Sequence, residues 1–184
     1  MRMAKRLPKP GDLLEIHLPD GRYAYAHYVL EDPHGGPLVR VLEGIFAQPL
    51  PVERVAQLPH RFWAYVGINP PVREGRWRII GSKPVEDVEL PLLRSLEFGT
   101  PKNNHTDGIW FVRRAGEPGP GRRVGGFWSL PPEYLALDYD DLGAGEDLEE
   151  RILTGKRFPW KERVDALLRE RLGRAGESGS TGGE

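Results

Sequence analysis

Cysteine is absent from the 184 residues. That excludes a disulfide framework, a thiolate nucleophile and thiolate metal ligands. Long apolar runs are absent too: nothing approaches the ~20 residues that an α-helix needs to cross a bilayer. The opening MRMAKRLP is basic but has no apolar centre, so no secretory signal is expected and a cytoplasmic location is. Net charge is −1, which leaves no global field to attract nucleic acid or an anionic membrane. No serine sits in a G-x-S-x-G elbow, and no phosphate-cradling glycine loop leads into a helix. The five histidines show no ligand spacing to one another, as a zinc site needs.

Glycine (23) and proline (18) are abundant, and they punctuate the chain. The clearest local pattern is residues 11–30, GDLLEIHLPDGRYAYAHYVL. Leu14, Ile16 and Leu18 alternate with Leu13, Glu15 and His17, the period of a half-buried strand. Pro19, Asp20 and Gly21 supply a turn: a fixed φ, a side chain that bonds its own backbone, and tolerance of positive φ. Alternation resumes with Tyr23, Tyr25, His27 and Val29. Ala24 and Ala26 on the other face suggest close approach of backbone or strong curvature. A β-hairpin follows from these features.

Further strands are expected at 38–42, at 62–68 (buried on both faces), at 76–80 and at 109–113. Residues 52–59 are ambiguous. Residues 85–96, interrupted by Pro91, suggest a single helical turn. The Gly/Pro-rich 115–126 reads as a mobile loop, after which Phe127 and Trp128 return to the core. Short helices are expected at 133–137 and at 147–153, stopped by Gly155. A longer one is expected at 160–172, with Trp160, Val164, Leu167, Leu168 and Leu172 on one stripe and Gly173 as its stop. The fold class is therefore mainly β (α+β): a twisted antiparallel sheet or small partly open β-barrel with C-terminal helices packed on it. The organisation expected is a basic arm at 1–10, one β-rich domain at 11–174 and a disordered tail at 175–184.

The ordered segments carry a resemblance. Gly11-Asp12, the apolar strand and Leu-Pro-Asp-Gly-Arg-Tyr-Ala-Tyr-Ala over 18–26 come first, followed by Gly36-Pro37-Leu38-Val39-Arg40-Val41. FWAYVGI at 62–68 comes next, then Trp77-Arg78-Ile79-Ile80-Gly81 with Pro84. In this order they resemble the immunity protein 26 family, which accompanies bacterial polymorphic toxins. Ala24 stands where many relatives have glycine. The resemblance implies a β-rich, non-enzymatic protein that binds and neutralises a cognate protein toxin inside the cell. It carries no set of binding residues.

Toxins of this class often cut nucleic acids, and a nuclease cleft is basic. The densest acidic stretch is therefore the candidate partner-binding surface: Asp138, Asp140, Asp141, Glu146, Asp147 and Glu149, with Glu150 beside them. Serine at Asp140, Asp141 and Glu146 is expected to leave melting unchanged. Asp138, Asp140 and Glu149 also stand at the first, third and twelfth positions of a calcium-type loop, with Gly143 at the sixth. Leu142 at the fifth offers no side-chain oxygen, so neither metal nor other cofactor is expected. His105 and Asp107 in 103–108 could form half of a metal or acid–base site; a polar turn is the plainer reading. An alternative function, a nucleic-acid-binding β-barrel, rests on Tyr23, Tyr25, Tyr28, Trp63, Tyr65, Trp77, Trp110 and Trp128 interleaved with Arg22, Arg40, Arg76 and Arg78. Such a set stacks bases only if it is exposed.

Overall fold

The turn at Asp20 and Gly21 sets the first register. Gly21 takes φ 84°, and the Asp20 carboxylate accepts the Arg22 amide at 3.1 Å. In the computed structural model, which describes residues 6–98 and 108–178, β1 (Asp12–His17) and β2 (Tyr23–Asp32) pair antiparallel from His17↔Tyr23 to Leu13↔His27. The chain continues through β3 (Gly36–Leu42), α1 (Val52–Val55), β4 (His60–Val66), α2 (Asn69–Glu74) and β5 (Trp77–Ser82). A second group follows: β6 (Leu92–Phe98), β7 (Gly108–Arg114) and β8 (Arg122–Gly126). A two-residue strand, β9 (Leu142–Gly143), then precedes α3 (Gly145–Thr154) and α4 (Pro159–Ser178).

Two open sheets result, and the protein is mainly β with helices, as the sequence predicts. The larger has the order β5-β1-β2-β3-β4-β9 and the smaller β6-β7-β8. Among the described residues, the named strands pair antiparallel except β4–β9.

Burial departs from expectation in an informative way. β1 is buried on both faces, not one. Leu14 and Ile16 join a cluster with Ala24, Ala26, Val41, Leu148 and Ile152, so α3 covers that face. Leu13 joins a second cluster with Tyr25, Leu42 and Val55, because α1 and its flanks fold over the other side. β4, expected to be buried on both faces, leaves Trp63 and Ala64 half-exposed. Asn69-Pro70-Pro71 does end β4's course, and its prolines then start α2.

One turn forms at 85–88, where the Val88 amide donates to the Val85 carbonyl. From Leu92 onwards the chain is extended and paired with β7. The expected mobile loop at 115–126 ends in β8, which pairs with β7 from Val112↔Arg122 to Ile109↔Gly126. Its glycines hid the strand, and they have a steric reason: a Cβ on Gly125 would lie 2.3 Å from the Ser129 carbonyl. Phe127 is buried, but Trp128 is exposed and lies under Arg171. The helix expected at 133–137 is a single tight turn, Pro132–Tyr134.

Gly155 ends α3 in the left-handed conformation, as expected. Gly173 does not end α4, which runs on to Ser178. Val164 and Leu168 bury against Trp110 and Phe127, while Leu167 is exposed. Asp165 occupies the buried stripe instead, held there by Arg94, Tyr139 and Arg157.

Candidate interaction surface

The acidic stretch is the seam between the two sheets. Its first part runs beside β6: the Arg94 amide donates to the Asp138 carbonyl at 3.0 Å, and the Asp140 amide to the Arg94 carbonyl at 2.7 Å. Two residues on, β9 pairs with β4 through Tyr65↔Leu142 and Val66↔Gly143. One short segment thus bonds in turn to both sheets, and this places its side chains.

Asp140 and Asp138 turn inwards. Asp140 is buried, and the Arg113 guanidinium closes on it with two bonds of 2.8 and 2.9 Å. Arg113 also donates to Asp32 at 2.9 Å and to the Tyr65 hydroxyl at 3.0 Å. Tyr65 in turn donates to Asp32. Burial opposes the charge on Asp32. Tyr65, the Gly116 and His34 amides and Arg113 overcome it and hold that carboxyl well below the usual range. Tyr65 is pushed the other way, first by burial and then by its bond to Asp32. Asp138 accepts the Trp63 amide at 3.0 Å and faces Arg151 and Arg157.

Glu149, on α3, is also internal. It accepts the Trp77 indole N–H at 2.7 Å and pairs with Arg76. Asp147 accepts the Ala144 amide at 3.1 Å, inside the first turn of α3, where a carboxylate is favoured. The carboxylates left outward are Asp141, which meets Lys161 at 2.5 Å, Glu146, which reaches Arg76, and Glu150. The calcium-type pattern is therefore dispersed: its first, third and twelfth carboxylates go to three different sets of partners. Among the described residues no group of three or more His, Asp or Glu gathers where it could hold a metal ion.

Beside the seam opens a recess of about 240 Å³, walled by β4, β9, α3 and the start of α4. Tyr139, Trp160, Arg151 and Lys161 line it with Asp141 and Asp147. Two apolar side chains stand at this recess, Leu142 at 58 % and Phe158 at 49 % exposure. Leu142 also borders a second hollow formed by the 31–36 loop and Asp140. Sequence reasoning singled out the stretch for its charge and did not single out Leu142 or Phe158 as exposed apolar side chains. The only signal was an apolar residue in a polar context, at the very position that weakened the calcium reading.

The aromatic set does not form a stacking face. Tyr25, Tyr28, Tyr65, Trp77 and Trp110 are buried, and only Trp128 of the set is exposed. His105 and Asp107 lie outside the described residues. No helix among the described residues is long and apolar enough to cross a membrane.

Compared with known families, residues 9–99 match the family model described as Immunity protein 26. The match covers β1 through β6 and stops before the seam. It agrees with the resemblance read in the sequence. No curated protein and no solved structure matches the chain.

Proposed function

With residues 9–99 assigned to the immunity protein 26 family, we propose that the protein neutralises a cognate toxin by binding it, in the cytoplasm of the cell that carries both. The family match is the observation that carries this reading. The surface we assign to the toxin is the outer side of the seam. Leu142 and Phe158 provide exposed apolar anchors around a recess, the arrangement that concentrates binding energy in a few side chains. Asp141 lines the same recess, and Glu146 and Glu150, further along the stretch, are exposed and add outward negative charge. Such charge speeds encounter with a basic cleft and excludes wrong partners, so a nuclease is the toxin class this surface suits.

Action by binding, not by chemistry, predicts stoichiometric inhibition. The buried groups that could act as acids or bases, Asp32, Tyr65 and Asp140 among them, are tied into one network with Arg113, and this supports the non-enzymatic reading. The test is titration of the toxin encoded beside this gene, with toxin activity as the readout. Inhibition should be complete at one molar equivalent, and co-expression should restore growth. Inhibition well below one equivalent means turnover and rejects the reading, as does failure to form a complex.

A further inference from the structure

Asp138 faces more cations than it can neutralise. Its Oδ1 takes Arg151 and, at 3.4 Å, Arg157, and its Oδ2 takes the Trp63 amide. Arg61 stands beside them. Its side chain donates to the Ile152 carbonyl at 2.9 Å and forms no ion pair among the described residues. Arg61 and Arg151 lie over the same ring, that of Phe62, at 5.6 and 3.8 Å from its centre. Arg157 also reaches Asp165, but Asp165 answers Arg94 as well. Glu162 accepts the Arg157 backbone amide from outside this group. Positive charge is therefore left over.

Arg61, Arg151 and Arg157 line an open hollow of about 310 Å³, and Asp138 is the one carboxylate on its wall. The guanidiniums can be reached from it. Arg61 is exposed, and the Arg151 and Arg157 side chains keep 17 and 16 % exposure. Their donors are not used up. Arg157 Nη2 reaches the Ala136 and Leu137 carbonyls and Asp138 only at 3.4, 3.3 and 3.4 Å, the long end of hydrogen bonding. The charges also act on one another. Burial first, and then Arg157 and Arg61, lower the proton affinity of Arg151 against the pull of Asp138. The carbonyl end of α3 opposes an anion here, but Arg61 already covers its Ile152 carbonyl.

We propose that the hollow lined by Arg61, Arg151 and Arg157 binds a dianionic phosphate group. Such a group carries a charge of about −2 at neutral pH and several strong acceptor oxygens, which meets both the surplus charge and the spare donors. Guanidinium forks match phosphate oxygens in pairs. A carboxylate brings half the charge. The group is either free phosphate or the head of a small phosphate monoester. The volume stands at the lower end of ligand pockets, roughly 300–1,000 Å³, and leaves room for a small organic body against Phe62. The hollow shares Arg151 and Arg157 with the recess beside the seam, but binding there does not depend on a toxin.

The test is a titration of the full-length, ¹⁵N-labelled protein at constant ionic strength and about pH 7.5, above the second phosphate pKa of about 6. The amide resonances of residues 61–62 and 151–157 are followed. The probes are inorganic phosphate, glycerol phosphate and acetate. Phosphate should give saturable shifts confined to these residues, with acetate binding more weakly. Arg61→Gln changes an exposed side chain and should weaken phosphate binding by about tenfold or more. Arg61→Lys should fall between, since it keeps the charge and loses the fork. Arg78→Gln, at an exposed position on β5, should change nothing. Tighter binding of glycerol phosphate than of phosphate assigns the site to a monoester, and equal or weaker binding assigns it to the free ion. No saturable shift, an equal affinity for acetate, or an unchanged affinity in Arg61→Gln overturns the proposal. If Arg61→Gln fails to fold, the parent and Arg61→Lys decide the matter by the same criteria.

Discussion

Arg113 on β7 and Asp140 on the seam meet through two parallel bonds of 2.8 and 2.9 Å, and both side chains are buried. Asp32, at the end of β2, and Tyr65, on β4, complete the same network. A strand of the small sheet is thereby tied to two strands of the large one through charge. The pair is worth little against a well-packed apolar replacement, but removing one partner leaves a buried charge alone. Asp140→Asn or Arg113→Met should destabilise by about 3–5 kcal/mol. For a domain of this size that lowers Tm by roughly 10 °C. Thermal unfolding checks it, and a double-mutant cycle should show strong coupling between the two positions. The expectation that serine at Asp140 leaves melting unchanged is thereby withdrawn: the residue is internal.

The same network sets an acid limit. Folding depresses the Asp32 pKa, so the folded protein holds the charged form more firmly than the unfolded chain does. That contribution is complete above the unfolded-state value of about 3.9 and is lost as pH falls from there towards the folded value. Urea midpoints measured from pH 5 down to pH 2.5 should therefore fall. Asp32→Asn, less stable at neutral pH, should show a flatter profile. A profile in Asp32→Asn as steep as the parent's would assign the acid sensitivity to other carboxylates.

The C-terminal helix is held by few residues. Leu168 is 3 % exposed and packs in the cluster of Trp110, Phe127 and Val164. An aspartate there would put a charge into an apolar cluster. Leu168→Asp should cost a few kcal/mol, and Leu167→Asp, one residue earlier but exposed, should be near neutral. Comparing the two by urea unfolding separates loss of packing from loss of helix propensity, because both changes place the same residue mid-helix. Equal effects would mean that α4 contributes through its helicity alone.

Much of this was legible in the sequence for local reasons. The hairpin of β1 and β2 is encoded within twenty consecutive residues by alternation and one turn. The stop of α3 is encoded by a single glycine. What escaped depends on distant partners. β1 reads as half-buried because nothing in its own sequence says that α1 will cover its second face. β8 reads as a loop because Gly125 answers to Ser129, not to strand propensity. The acidic stretch reads as solvated because no lysine or arginine stands among its carboxylates. Yet Arg113 is 27 residues from Asp140, and Arg76 is 73 residues from Glu149. Charge runs reveal surface only when the counter-ions are also local.

The outward part of the seam then defines the functional test. Asp141→Ser and Glu146→Ser change exposed carboxylates whose ion pairs lie at the surface, where such pairs contribute ~0–1 kcal/mol. Melting should stay within a few degrees of the parent. Association with the toxin should slow, because a basic cleft loses its steering charge. The slowing should shrink as salt rises, since exposed charges are screened over ~8 Å at physiological ionic strength. Leu142→Ser and Phe158→Ser act on the other half of the surface. They remove exposed apolar anchors, so the complex should dissociate faster at every salt concentration, with melting unchanged. Stopped-flow association and surface-plasmon dissociation separate the two effects. If the acidic pair leaves low-salt association unchanged and the apolar pair leaves dissociation unchanged, the toxin docks elsewhere. The open edge of β8, with Arg122 and Arg123 exposed on it, is then the next face to vary.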